Sequence, residues 1–449
     1  MISLARKLRL ADFFSLGFGT MIGVGWLVVM DDWLRRGGPL GAMLGFALGG
    51  ALLLPIGYVY GQLVRAMPDA AGEIAYTAAV FPRSISFATG WMMLLAYYIV
   101  CPWEAVAIGR IASYIFPAMN SFELYRVAGK PVFLPHLVIG LALTGLLTVM
   151  NYRGIRMSAS FQNVTTFGAI ALVATFILAG LRHGSTQNLQ PLFNASAPLS
   201  ILLVLQIVPY FMTGFESIGK ASEEASSQFQ PRRFLLAIMT AMLVGIGFYV
   251  SVIAATAYVT PWQSLVRERF ATAVAFERAV GTRWIVSVIM GAALLSLLEV
   301  FNGNFVAATR LLFALGRRGL ADTRLGYVHP RNRTPSVAVV SIGLFTAMCM
   351  FAGESILVPI AEVGSLASAL GWMAACASYL RLKPSSFGRV AAATGIVVTF
   401  LVLAMKILPT VPGHFSIYEW MALALWIVLG LLLRRRAGSS EAAVISDPV

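Results

Sequence analysis

Gly17-Phe18-Gly19-Thr20-Met21-Ile22-Gly23-Val24-Gly25-Trp26 places four glycines within nine residues of an otherwise apolar run. Each glycine costs a helix interior roughly 1 kcal/mol against alanine, so the cluster predicts a helix that breaks part-way along. A second such stretch is Pro209-Tyr210-Phe211-Met212-Thr213-Gly214-Phe215-Glu216-Ser217-Ile218-Gly219. There a proline, two glycines and a carboxylate interrupt another apolar run. Backbone unwound at membrane depth is tolerated only where protein covers it or where it lines a cavity. Freed N–H groups and half-helix N-termini then suit an anionic group, and freed carbonyls suit a cation or an ammonium. A pair of packing kinks is the plain alternative, since glycine is common in membrane helices. The breaks stand five helices apart, as in paired halves of an inverted repeat, which favours a binding site.

The rest of the chain puts these runs in a bilayer. Of its 449 residues, 59% are hydrophobic and 12% charged, against about a quarter charged in an ordinary soluble chain. A spanning helix needs about 20 apolar residues, and twelve runs qualify as candidates. They are 13–30, 40–64, 87–116, 133–150, 161–181, 199–219, 234–259, 284–315, 337–351, 356–380, 390–408 and 417–433, numbered here as the first to twelfth segments. This excludes a soluble enzyme, a disordered chain and a secreted disulfide scaffold. Cys101, Cys349 and Cys376 lie inside apolar stretches and read as reduced packing residues. The basic start at residues 1–10 resembles a signal peptide's leading region, but no small-residue cleavage site follows, so it reads as leading into a retained first helix.

The net charge of +14 lacks the basic face or aromatic motif of a nucleic-acid binder. Its distribution is topological instead: 22 Lys and Arg fall on the side of the N-terminus and ten on the other, with Arg110 inside a segment. Cytoplasmic loops collect such residues, so both termini are expected in the cytoplasm of a multi-pass plasma (inner) membrane protein. Gly41, Gly45 and Gly49 form consecutive GxxxG steps for close helix approach.

Carboxylates inside segments are costly and hence functional candidates. Glu299 stands out, because Ser296, Glu299 and Asn302 lie three apart on one face of the eighth segment. It is a candidate proton carrier; its bland reading is a neutraliser of some arginine, such as Arg110. Glu104 and Arg110 lie six apart, about 120° around the helix, and should not pair. Glu216 is expected to pair with Lys220 at i, i+4, while Glu223 and Glu224 read as a solvated cap and Asp31 and Asp32 as a solvated rim. The run 214–220 fits GxxxxGK of a P-loop, but Ala221 replaces the Ser/Thr that holds Mg²⁺ and no strand precedes it. The four histidines are scattered, with no metal-binding spacing. Neither a nucleophile–base pair nor a cofactor motif is evident.

Taken together, Gly23-Val24-Gly25, Gly214-Phe215-Glu216 followed by Glu223-Glu224 and Pro231-Arg232, and Asn302-Gly303 through Arg310 and Gly316–Leu320 to Thr334-Pro335 resemble the amino acid–polyamine–organocation (APC) transporter superfamily, as do Asn151, Gly154 and Gln162. The resemblance implies an all-α, twelve-helix membrane protein with a LeuT-like 5+5 inverted repeat, its first and sixth helices broken and two helices peripheral. The core would be 1–380, with repeats at about 10–182 and 198–380, then 388–436 for the last two helices and 437–449 as a disordered cytoplasmic tail. It further implies that the N–H groups of Ile22, Gly23, Val24 and Gly25 receive a substrate carboxylate. Carbonyls near Met21, Tyr210 and Thr213 would receive its ammonium, with Gly214 and Phe215 completing the site and Tyr210 as an aromatic gate. Glu299, Glu216, Glu104, Tyr210 and Asn302 are the coupling or gating candidates. Three positions depart from the pattern: Val24 lacks a hydroxyl, Trp26 is expected to narrow the cavity, and Ala169 stands where several members carry a lysine. The implied activity is secondary transport of an amino acid by proton symport or exchange, with an amine or polyamine lacking a carboxylate as the alternative; no cofactor is implied.

Overall fold

The glycine-marked breaks are largely buried, and other helices pack around them. The computed structural model describes residues 4–127, 129–268, 270–411 and 414–445. Among these, ten helices or joined helix pairs are long and apolar enough to cross a membrane: Leu10–Val28, Met30–Ala66, Arg83–Ile115, Leu134–Arg153, Ile155–Leu181, Arg232–Val259, Trp284–Arg317, Val363–Arg381, Ser386–Ile407 and Ile417–Arg434. The pair Ala197–Leu205 and Val208–Lys220, bent by 45°, makes an eleventh when taken as one span. The ninth candidate is the helix Ser336–Met350, whose 15 residues rise only about 22 Å. Phe351 caps its end, and Gly353 at φ 64° caps the start of the next helix. Length and composition alone therefore support ten or eleven of the twelve expected spans.

Two expectations change at the edges. The loop before the fourth segment carries an antiparallel hairpin, Glu123–Val127 with Lys130–Phe133, so the chain is not purely helical. The last helix continues to Ile445, into the stretch expected to be disordered; 446–449 lie outside the described residues.

Close packing fixes where the sixth segment sits. A Cβ on Gly41, Gly45 or Gly49 would meet Ser200, Val204 or Val208 at 2.7–2.9 Å. The glycine stripe thus receives the first half of the sixth segment with backbones nearly touching, as small residues allow. The first segment packs against Arg232–Val259, Ile155–Leu181 and Arg283–Arg317. The last helix is joined to the third segment through Trp91 and Trp426, whose rings stack at 4.4 Å. Each indole N–H donates to the other residue's carbonyl, at 2.9 and 3.1 Å.

Candidate functional site

The first helix runs Leu10–Met21, unwinds over Ile22–Val24 and resumes at Gly25. In the sixth segment the helix stops at Met212; Thr213 is extended and Gly214 has φ 133° before Ser217–Lys220 coils again. The breaks touch. A Cβ on Gly214 would lie 2.6 Å from the Thr20 carbonyl carbon and 2.8 Å from the Met21 nitrogen, so only glycine meets both the conformation and the contact. Buried Tyr249, on the seventh segment, bridges them: its hydroxyl lies 3.2 Å from the carbonyls of Met21 and of Phe211.

A cavity of about 110 Å³ lies against these breaks. Of the binding candidates, Met21, Gly23, Val24, Gly25, Tyr210 and Thr213 line it. Three others do not. The Ile22 N–H is taken by the Phe18 carbonyl at 2.9 Å, the last bond of the helix. Gly214 is spent on contact with the first segment. Phe215 is fully buried, stacked 5.7 Å from Trp372 with its edge relation to Tyr60. Among the described residues, the N–H groups of Gly23, Val24 and Gly25 enter no backbone hydrogen bond, which leaves three donors at the break. Trp26 does not narrow the space. It is wholly buried, stacked on Phe176 at 5.6 Å.

Among the described residues, Glu104 is the one charged side chain of the lining. It is 4% exposed, and Oε1 sits 3.3 Å from where a Gly23 Cβ would be. Its Oε2 has no hydrogen-bond partner among the described residues. Phe211, Trp103, Asn304 and Ser368 also line the cavity and were missed. Asn304 had a signal, because it follows Asn302 by two residues on the polar-striped eighth segment.

The remaining carboxylates sort differently from expectation. Glu299 is fully buried beside Gly19, and neither oxygen has a hydrogen-bond partner among the described residues. Arg110 instead lines a separate cavity with Tyr114 and Lys130. Asn302 is no free polar group: it accepts from Asn151 and Ser158 at 3.0 Å and donates to Gln162 at 2.7 Å, tying the fourth-to-fifth connection to the eighth segment. Glu216 does not hold the Lys220 ammonium with its side chain; its Oε2 accepts from the Gly214 N–H at 3.1 Å, and Lys220 reaches Glu73 instead. Glu224 is not solvated. Buried, it makes two bonds to buried Arg310, at 2.9 and 3.1 Å. Glu223 pairs with Arg317 nearer solvent. Among the described residues no His/Cys/Asp/Glu cluster has metal-binding geometry.

Apolar helices in this number, with two broken segments meeting at a cavity, define a multi-pass membrane transporter. The chain belongs to the amino acid permease family of the APC superfamily, whose profile matches residues 8–433. It is 26% identical over 451 residues to the methylthioribose transporter of Bacillus subtilis, covering 96% of this chain and 93% of that one. It is 26% identical over 460 residues to the branched-chain amino acid permease BcaP of the same organism, covering 96% and 92%. The chloroplastic cationic amino acid transporter 9 of Arabidopsis thaliana is 29% identical over 341 residues, 73% of this chain and 58% of the relative.

Proposed function

We propose that the protein is a secondary active transporter that carries an amino acid across the plasma membrane by alternating access. The observation that carries this reading is the junction of Gly214 with Thr20 and Met21, which sets three uncommitted N–H groups of the first break against a cavity. Those donors suit a carboxylate, and Glu104 across from Gly23 suits an ammonium. In this reading the chain makes twelve crossings, the short ninth helix included. They form two inverted repeats at about 10–182 and 198–380, with two helices peripheral. Both termini lie in the cytoplasm. Lys220 and Arg310, counted with the cytoplasmic loops, are buried; leaving them out keeps the Lys/Arg excess on the same side.

Proton coupling belongs to the same proposal, with Glu299 as the carrier, since Ala169 supplies no titrating group. A second reading, an amine without a carboxylate, is favoured by one observation: among the described residues, the cavity's lining holds a carboxylate, no cation, and a valine at position 24. Uptake into proteoliposomes tests both, using amino acids, amines and methylthioribose with and without a pH gradient. Accumulation of an amino acid driven by the gradient is expected. Uptake of amines alone would replace the first reading with the second, and uptake of neither would overturn both.

A further inference from the structure

Beyond the cavity, toward the face that carries residues 6–9, lies a charge cluster with no place in substrate binding. Lys220 and Glu73 are both wholly buried, with the ammonium 2.5 Å from Glu73 Oε1. The ammonium also donates to the Tyr97 hydroxyl at 3.1 Å and the Glu216 carbonyl at 3.3 Å. The Tyr60 hydroxyl donates to the same Glu73 oxygen at 2.7 Å. Two further tiers continue outward: buried Arg310 with Glu224, then Arg317 with Glu223 and Asp69, where the side chains are about a quarter exposed. The N–H groups of Lys7 and Leu8 bind the Glu224 carbonyl at 2.8 and 2.9 Å. Residues 214–225 therefore run beside the first segment from its break back to its start.

A buried ion pair adds little stability, because both charges lose their water and their attraction only offsets that loss. An apolar pair would seal the same space at least as well. What charges add is reversibility: once water enters, both are rehydrated, so parting them is easy where parting apolar side chains is not. The position fits such a part. Lys220 ends a one-turn helix reached through the Thr213–Glu216 loop, and Glu73 opens a separate short helix, Glu73–Ala78.

We propose that the Lys220–Glu73 pair is the latch of a gate formed by residues 217–224, parting each time the path opens between the cavity and the face bearing residues 6–9. This rests on the transport reading. The test places a cysteine at buried Ser222, in a chain with Cys101, Cys349 and Cys376 replaced by alanine, and follows its labelling by N-ethylmaleimide in proteoliposomes. Lys220→Met/Glu73→Leu, which makes the seal apolar, is expected to slow labelling by about fivefold, the lower end of the effect of such replacements. The charge-swapped Lys220→Glu/Glu73→Lys should return it toward the original rate. Tyr97→Phe and Tyr60→Phe each remove one hydroxyl from the pair and keep the ring; each should speed labelling by about twofold, one hydrogen bond's worth at the low end. They decide the matter should the apolar pair fail to fold. Unchanged labelling in the folded variants would overturn the latch. Labelling needs no substrate, so a protein that moves nothing on the panel overturns the transport reading while these rates still judge the gate.

Discussion

Gly214 is held by backbone on both sides: its own φ of 133° and the Thr20–Met21 chain where a side chain would begin. Rotating a side chain relieves neither. Gly214→Ala is expected to introduce about 1–3 kcal/mol of strain, lower the melting temperature and abolish ligand-induced stabilisation in a thermal-shift assay. A wild-type melting curve with full ligand response would separate the two breaks. Tyr210 makes a different demand. It lines the cavity with its ring 5.1 Å from Phe211, so Tyr210→Ala should weaken binding far more than Tyr210→Phe, because ring area outweighs the hydroxyl. Equal losses would point to a hydrogen bond instead. The residue scale is also where the sequence was hardest to read. Glycine clusters located both breaks, but the directions of Trp26 and Phe215 came out wrong. Side-chain direction in a helix follows from its period, and within an unwound stretch that period is lost. Tyr249 was invisible for another reason: it lies in an unbroken apolar run, and its hydroxyl finds its partners only across the fold.

Among the elements, the segment 217–224 carries the least expected chemistry. Lys220 and Arg310 sit at the ends of apolar runs, where loop charges also begin, and a count by position assigned both to the cytoplasmic loops. Only their partners on distant elements, Glu73 and Glu224, allow them to be buried. Removing one member of such a pair strands the other. Arg310→Met is therefore expected to cost about 3–5 kcal/mol, while Arg310→Met/Glu224→Gln should regain most of it, read from thermal unfolding of the purified protein. A double variant no more stable than the single one would mean that the pair is not what holds this segment. The GxxxG stripe, by contrast, was legible as a packing surface, because small residues at four-residue spacing serve one purpose in any bilayer. Its partner, the sixth segment, was not.

At the scale of the whole molecule, the membrane class and the paired breaks were evident from composition and glycine spacing alone, and the span count was not. A segment of 15 residues sits below the length that hydropathy resolves, and the hairpin before the fourth segment is too short to stand out. Coupling also belongs to this scale, because one titrating group has to sense both faces. Glu299 has no ion-pair partner among the described residues. Glu299→Gln should therefore leave the melting temperature nearly unchanged while flattening the pH dependence of uptake and sparing exchange. A stable, active variant with an unaltered pH profile would remove Glu299 from the coupling scheme. The Trp91–Trp426 contact acts at this scale too. Two parallel indoles 4.4 Å apart couple their electronic transitions, so the docked last helix carries its own circular-dichroism signature in the near ultraviolet. Gly430, whose Cβ would fall 2.4 Å from the Trp91 ring nitrogen, is what lets the rings lie that close. The protein thus holds an optical label at the seam between its core and its outermost helix, and a detergent that peels that helix away would erase the signal before the bundle itself unfolds.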